Sequence, residues 1–531
     1  MSKIWVVDCE TDPFLYGRIP QPFIWGAFDG TQFLTFSDTE KFIEWIKTQK
    51  GIFYAHNGGK FDFIYLLDHF NEGKPLIINS RIVEAKLGLA TLRDSYSIIP
   101  LPLAKFQKTK IEYWKFEKPV RRFHMEEITR YLRDDCLHLF ELVTTFRQTA
   151  GTKATIAASA LAFAKNIGIS VGTTNTNFDD VFRPFYHGGR TQVFRGGKHK
   201  AGNVYDIKSA YPFAMLEYHP QGRYFVVHNS LEKVHNVGRA FIELVGYSDG
   251  AFPVFEDNTL SFPKALRKYQ VTGWEYLTAK KHGLLLGERI TRVFEVENKI
   301  NFRPYVEHWF DVKNRSEKAG DKATRMVAKL MLNSLYGKFA QNPRNFTDWK
   351  IRKAGSVIGE GWSLNAEYDK IEFHTRPTSD RYTTKKNWER FPLYHNVATA
   401  ASITGYTRAL LLDAIHTVGA EHGYYTDTDC LFVGMGAKTH NLRQDGKIGA
   451  WEWEGMFGPL ILTGKKQYAL KFVNGPSTGT TKIVCKGARL RWKDFEALLQ
   501  NKTVEWKNDA PTFSLAMGQN FVYRRINQTY N

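Results

Sequence analysis

The sequence predicts an α+β chain of several domains, and three observations lead there. At 531 residues the chain exceeds what one hydrophobic core usually supports. Its first part alternates short apolar strands with helical segments, a layout of strands covered by helices. Later stretches switch between strand patterning, a basic helical pattern and a polar, irregular run, so the remainder divides into further units. Hydrophobic residues at 43% and charged residues at 24% are ordinary globular values and exclude a wholly disordered chain.

Lys and Arg number 73 against 54 Asp and Glu, a formal charge of +19. With 15% aromatic residues, that balance suits phosphate neutralisation combined with base stacking. Cys9, Cys136, Cys430 and Cys485 form no C-x-x-C pair, so neither a disulfide framework nor a zinc site is expected, and a reducing compartment is implied. Met1 leads straight into an apolar strand without a signal-peptide layout, and no run of about 18 apolar residues is present. The expectation is a cytoplasmic protein that makes no use of a membrane.

Taken in order, residues 1–148 place strands at Ile4–Val7, Ile52–Ala55 and Ala90–Leu92 and helices at Phe61–Phe70 and Glu126–Phe146. An Ala-rich connecting helix follows within 152–175, and a strand at Asn203–Tyr205 opens the next unit. Residues 218–301 are rich in Gly and aromatics, and a basic helix runs from Arg325 to Phe339. Residues 341–397 are polar and irregular, and an apolar helix from Tyr406 to Ala420 precedes a hairpin at Tyr425–Val433. The segment 489–531 mixes Trp, Arg, Tyr and Asn without a usable motif.

Two groups of acids carry the chemistry. Asp8 and Glu10 close the first strand, Asp62 follows the second in HNGGKFD, and Asp135 lies one helical turn after Tyr131 on the same face. Four carboxylates arriving from separate elements are what a two-metal hydrolytic site requires, with Tyr131 placed to orient water. The second group is Asp206, at the end of a strand, and the pair Asp427 and Asp429. Alone, Asp-Thr-Asp reads as a solvated hairpin tip. Beside Asp206 it can bind hard divalent cations through carboxylates and substrate phosphates. Arg325, Lys329, Asn333 and Tyr336 fall on one face of the basic helix, two cations to hold a triphosphate and an aromatic to pack on a base.

The order D-x-E, N…FD and Y-x-x-x-D resembles the 3′–5′ proofreading exonuclease domain of family B DNA polymerases. DIKSAYP (Asp206–Pro212), KLMLNSLYG (Lys329–Gly337) and YTDTD (Tyr425–Asp429) resemble that family's motifs A, B and C, closest to its protein-primed, φ29-type phage members. The resemblance implies an RNase H-like exonuclease domain over 1–148, then a right-hand polymerase domain. In that domain 149–217 and 398–488 would form the palm, with the linker helix in the first part. Residues 302–340 would form the fingers and 489–531 the thumb, with terminal-protein-region insertions at 218–301 and 341–397. It implies exonuclease metal ligands Asp8, Glu10, Asp62 and Asp135, with Thr11, Asn57, Phe61, Ser97, Lys108 and Tyr131 serving the single-stranded 3′ end or its cleavage.

In the polymerase it implies two Mg²⁺ ions, replaceable by Mn²⁺, on Asp206, Asp429 and the Ile207 carbonyl, assisted by Asp427. Lys313, Arg325, Lys329, Asn333, Tyr336 and Tyr211 would hold the incoming dNTP, Tyr211 beneath the sugar, where it would exclude a 2′-OH. Tyr186, Gly188 and Gly189 of YHGG, Ser209, Thr404, Arg408, and Lys466 and Tyr468 of KQY would contact DNA. The implied activity is a monomeric, replicative, strand-displacing DNA polymerase with proofreading, primed by a terminal protein. A family B enzyme extending ordinary primers, a nuclease that merely grips DNA with its C-terminal part, and a non-catalytic nucleic-acid-binding protein are the competing readings.

Overall fold

A computed structural model describes residues 3–106, 109–353, 355–364, 381–514 and 518–529. Lys108 therefore lies outside the described residues. The first unit is a seven-stranded mixed sheet in the order Phe33–Phe36, Pro22–Phe28, Ile4–Thr11, Gly51–Ala55, Ala90–Asp94, Arg81–Leu87 and Leu76–Ile78. Its three central strands are parallel, and Ile4–Val7 and Ile52–Ala55 within them run continuously apolar, as expected where both faces are covered. Helix Met125–Ala150 closes one face through Ile128, Leu132, Leu139 and Val143, and helix Thr39–Thr48 closes the other through Phe42 and Ile46.

The second sheet has eight strands. Gly202–Ile207 sits at its centre between Cys430–Val433 and Trp451–Gly464, and Gly423–Asp427 and Thr191–Val193 extend one side. Helix Val397–Thr417 backs this sheet through Leu411 and Ile415, which pack on Tyr205, Leu431 and Trp451. Helices Arg303–Lys318 and Lys322–Ser334 pair antiparallel. Gly320 makes their turn at φ +72°, Asp321 caps the second helix by accepting from the Thr324 amide, and Tyr305 Oη donates to the Met331 carbonyl at 2.6 Å.

The segment 218–301 folds as a four-stranded antiparallel sheet, Tyr218–His228, Leu285–Asn301, Phe241–Asp249 and Lys264–Thr272, with helix Gly273–Lys281. A small hairpin, Val254–Glu256 with Thr259–Ser261, turns on Asp257 and Asn258, both at positive φ, the geometry that two-residue hairpin turns favour. In the 341–397 segment, Phe346–Lys353 pairs with Arg381–Trp388. This ladder reaches the first unit: Gly73 and Ile351 exchange backbone hydrogen bonds of 3.1 and 2.9 Å, and Trp349 and Ile351 are buried in its core. The C-terminal segment adds helix Trp492–Leu499 and strands Val504–Lys507 and Tyr523–Ile526. Between those strands, Phe513 enters the core of the first unit and stacks on Phe61 at 6.0 Å. The first unit is thus gripped by two distant segments.

Helix boundaries differ from the sequence expectation in three places. The expected helix at Phe61–Phe70 is a 3₁₀ helix over Asp62–His69. The basic helix stops at Ser334, and Tyr336–Lys338 is a 3₁₀ turn closed by i→i+3 bonds, with Gly337 weakening any continuation. The helix expected at Tyr406 begins at Val397, where the Asn396 side chain caps the Thr399 amide.

Candidate active sites

Strand Ile4–Thr11 runs through both Asp8 and Glu10, and side-chain alternation places the two on one face. Asp62 opens the 3₁₀ helix after a sharp corner in which Asn57 is left-handed at φ 65°. Tyr131 and Asp135 arrive from the covering helix, both buried. That the four carboxylates converge is visible at Cys136, whose thiol is raised first by burial and then by the charges of Asp8, Asp135, Glu10 and Asp62. Burial lifts the Asp62 carboxyl to about 7, with Asp94 adding to the rise while the Cys9 thiol, donating to Asp62 Oδ1 at 3.3 Å, opposes it. Tyr131 is likewise raised by burial, then by Asp135 and Glu10, and it bonds to the exposed Tyr113, which sequence reasoning passed over.

The surrounding contact residues are distributed unevenly. Thr11 is buried beside the acids, and Ser97 ends a short 3₁₀ turn whose first amides are organised by Asp94, itself paired with Arg81. Phe61 is packed among Phe14, Tyr65 and Phe513.

In the central sheet, Asp206 lies opposite Cys430, and Asp427 also pairs with Cys430 across its hairpin. Thr428 takes the left-handed conformation at the tip, φ 65°, and the Asp429 amide donates to the Asp427 carbonyl at 2.7 Å. The Ile207 amide donates to the Asp429 carbonyl at 2.7 Å, tying the two acid segments together. Burial raises Asp206 to about 8, with Asp429 and Glu454 adding to it, and raises Asp429 to about 6, with Asp427 and Glu454 adding. Lys329 opposes both shifts, which brings the basic helix to the acids. Asp427 is engaged differently: it accepts from Thr191 Oγ1 at 2.9 Å and pairs with Lys466 Nζ at 2.9 Å. That separates its role from that of Asp429.

Glu454 was invisible in the sequence. It sits where the strand Trp451–Gly464 bulges against Val204 and Tyr205, and the extra residue turns its carboxylate towards the acid pair, where Lys482 meets it at 3.1 Å. No residue pattern in WEWEG announces a bulge.

Lys313, largely buried, is lowered by burial and then by Lys208, with Arg325 and Lys329 contributing, so four cations face a common space. Lys208, also missed, bonds to Glu452 at 2.9 Å. Arg325 pairs with Glu317 at 3.1 Å, and Asn333 donates to the Lys329 carbonyl. Tyr336 has left the helical face and stacks on Tyr211 at 4.4 Å and 21°. Ser209, left-handed at φ 58°, makes the corner that carries Tyr211 there.

Three residues expected to contact DNA are buried within the chain. Thr404 is buried and bonds to the Ala401 carbonyl. Arg408 is 2% exposed, forks onto Glu275 at 2.7 and 3.0 Å, and donates to the His187 and Gly188 carbonyls at 2.6 and 3.0 Å. Tyr468 is buried in an aromatic cluster with Tyr425 and Phe432. A buried guanidinium needs a carboxylate, and a phenol ring with apolar neighbours gains more inside than on a DNA surface. Tyr186 and Gly189 remain half-buried and Gly188 exposed at the surface of their segment.

Among the described residues no three His, Cys, Asp or Glu side chains form a ready metal cage. The donor chemistry nonetheless fits a hard divalent ion. Buried carboxylates that repel each other, with raised pKa values, suit the mode in which one or two protein carboxylates and substrate phosphates complete the shell. Among the described residues, no helix is long and apolar enough to cross a membrane.

Comparison with known proteins agrees with this geometry. The profile of DNA polymerase type B, organellar and viral, matches residues 103–418. The DNA-directed DNA polymerase of Enterobacteria phage PRD1 is 34% identical over 99% of this chain and 98% of its own length. The DNA polymerase of Bacillus phage phi29 is 25% identical over 78% of each chain. The solved fold of phi29 DNA polymerase bound to primer-template DNA superposes over the whole of both chains, with TM-score 0.76 at 18% identity. Two acid sites on this fold, a profile match across most of the chain and a full-length relative give one conclusion: the chain belongs to the organellar and viral type B DNA polymerases and is a DNA-directed DNA polymerase.

Proposed function

We propose that this polymerase is a monomeric replicative enzyme of a phage, acting in the host cytoplasm, that starts synthesis on a terminal protein, displaces strands and proofreads. The observation that carries the reading is the presence of two separate acid clusters in one chain, one in each large sheet. In the polymerase site Asp206 and Asp429 would hold Mg²⁺, with the Ile207 carbonyl beside them. Asp427 acts through Lys466 and Thr191 to fix the turn. When bound, the ions would neutralise phosphate charge and lower the barrier to phosphoryl transfer. Lys329, Lys313 and Arg325 hold the triphosphate, and the Tyr211–Tyr336 stack forms the floor under sugar and base. The primer 3′-hydroxyl attacks the α-phosphate, the bond to the bridging oxygen breaks, and pyrophosphate leaves.

In the exonuclease site Asp8, Glu10, Asp62 and Asp135 would hold the ions that serve hydrolysis, and Tyr131 would orient water. Thr11, Asn57, Phe61 and Ser97 line the approach of a single strand. The relatives support nucleic-acid partners: the similar solved structures are described as complexes with primer-template DNA, single-stranded DNA and incoming nucleotides.

Priming by protein is supported by the insertion 218–301 and by the described part of 341–397, whose strands pair into sheets. The second of these makes backbone contact with the exonuclease unit. The test is incubation with a candidate terminal protein, template ends and one labelled dNTP. Label covalently attached to the terminal protein supports the reading. Extension of an ordinary primer with no label on protein would favour an enzyme that needs no terminal protein.

A further inference from the structure

The polymerisation turn is held from behind by the segment Tyr186–Thr191, and that segment is held by the insertion 218–301. The Thr428 amide donates to the Arg190 carbonyl at 2.7 Å, and Thr191 Oγ1 donates to Asp427 at 2.9 Å. Gly189 lies so close to the turn that a Cβ there would stand 2.7–3.0 Å from the Thr428 side chain. Behind the segment, Arg408 grips the His187 and Gly188 carbonyls and forks onto Glu275. Glu275 belongs to the insertion, where it also closes the capping box of Thr272. The Arg190 side chain points the same way, donating to the Gly250 carbonyl at 2.7 Å and covering the Phe262 ring at 4.1 Å. Gly405, one turn from Arg408, leaves room for Thr272, since a Cβ there would meet the Thr272 hydroxyl at 2.3 Å.

Arg190, Glu275 and Arg408 are each 3% exposed or less. Burial brings Arg190 down to about 9, with Glu275 opposing the shift and Arg408 adding to it. Glu275 and Arg408 depend on each other for a charged partner, and Arg190 is held by the Gly250 carbonyl and by Gln192, so the group has few alternative geometries. Such a group transmits position and does not absorb it.

We propose that the 218–301 insertion sets the polymerisation turn through this strut, with Glu275, Arg408 and Arg190 as positioning residues for nucleotide addition. A shift of the insertion then displaces Asp427 and Asp429 relative to Asp206. The proposal rests on the reading of Asp206 and Asp429 as the polymerisation acids.

The test compares Glu275→Gln, which keeps the shape but removes the charge and one of the two acceptor oxygens that Arg408 and Thr272 use, with Gly189→Ala, which keeps every charge but pushes on Thr428. Each should lower the rate of single-nucleotide addition at saturating dNTP roughly tenfold or more, the scale of small misplacements at a reacting centre. KM for dNTP should change by less than about threefold, because the triphosphate cations are untouched. Hydrolysis of single-stranded DNA by Glu275→Gln should stay at the parent level, and an unfolding midpoint close to the parent's, read on the same samples, reports that both variants are folded. Adding Thr428→Gly to Gly189→Ala removes the atoms in conflict and should restore the rate. Wild-type addition rates in both single variants, an equal fall in hydrolysis by Glu275→Gln, or failure of Thr428→Gly to rescue would overturn the strut. Asp429→Ala is run alongside. Synthesis by that variant would overturn the assignment of the acids themselves, a result distinct from failure of the strut.

Discussion

Replacing Phe513 by Ala should release the C-terminal segment from the exonuclease unit while leaving nucleotide chemistry intact. The Phe513 ring is fully buried in that unit's core and stacks on Phe61. Phe513 lies in the first of two paired strands, Thr512–Ser514 and Gly518–Asn520, which are three residues each and too short to hold the position unaided. Truncating a buried Phe to Ala costs about 3–5 kcal/mol. Even the lower figure multiplies the undocked population by roughly a hundred. Amide hydrogen exchange across the strands Val504–Lys507 and Tyr523–Ile526 should therefore accelerate by about two orders of magnitude or more. Product length per binding event on a primed template should shorten, whereas the rate of a single addition should stay unchanged, because Asp206 and Asp429 belong to the other sheet. Exchange within about twofold of the parent protein would refute the reasoning, since it would mean that Phe513 contributes little to docking.

Two further outcomes are expected. Asp179, fully buried, accepts from Arg183 at 2.6 and 2.7 Å and from His395 at 3.1 Å; burial raises its carboxyl, and these partners bring it net down from 3.8 to about 2. A folded value below the unfolded one means stability present above about pH 4 and lost as pH falls through 2. Asp179→Asn should thus cost about 2 kcal/mol at pH 7 by urea unfolding, and the gap should narrow from pH 4 downwards; a gap independent of pH would contradict the pairing. Millimolar Mg²⁺ should raise the thermal midpoint of the free enzyme, EDTA should reverse the rise, and Asp206→Asn with Asp429→Asn should remove the part owed to the polymerase site. An unchanged Mg²⁺ response in that double variant would argue that the acids do not bind metal.

Much of the site was legible because its residues sit at strand ends and on helical faces, where spacing alone fixes direction. Asp8 with Glu10, Tyr131 with Asp135, and Arg325 with Lys329 are of this kind. What escaped depends on contacts between distant segments. Glu454 reaches the acids through a bulge, and Lys208 meets cations that two helices carry more than a hundred positions further along the chain. Arg408 and Tyr468 have the composition of DNA contacts, yet partners 133 and 43 positions away, Glu275 and Tyr425, draw them inside. Tyr336 left its helix because a 3₁₀ turn replaced the last α-turn, a boundary that helical periodicity does not mark.

Whether one chain carries two independent acid sites is decided by assaying synthesis and hydrolysis in parallel on Asp429→Ala and Asp8→Ala. Asp429→Ala should abolish primer extension and degrade single-stranded DNA at the parent rate; Asp8→Ala should extend primers normally and lose degradation. Loss of both activities from either change would contradict the account.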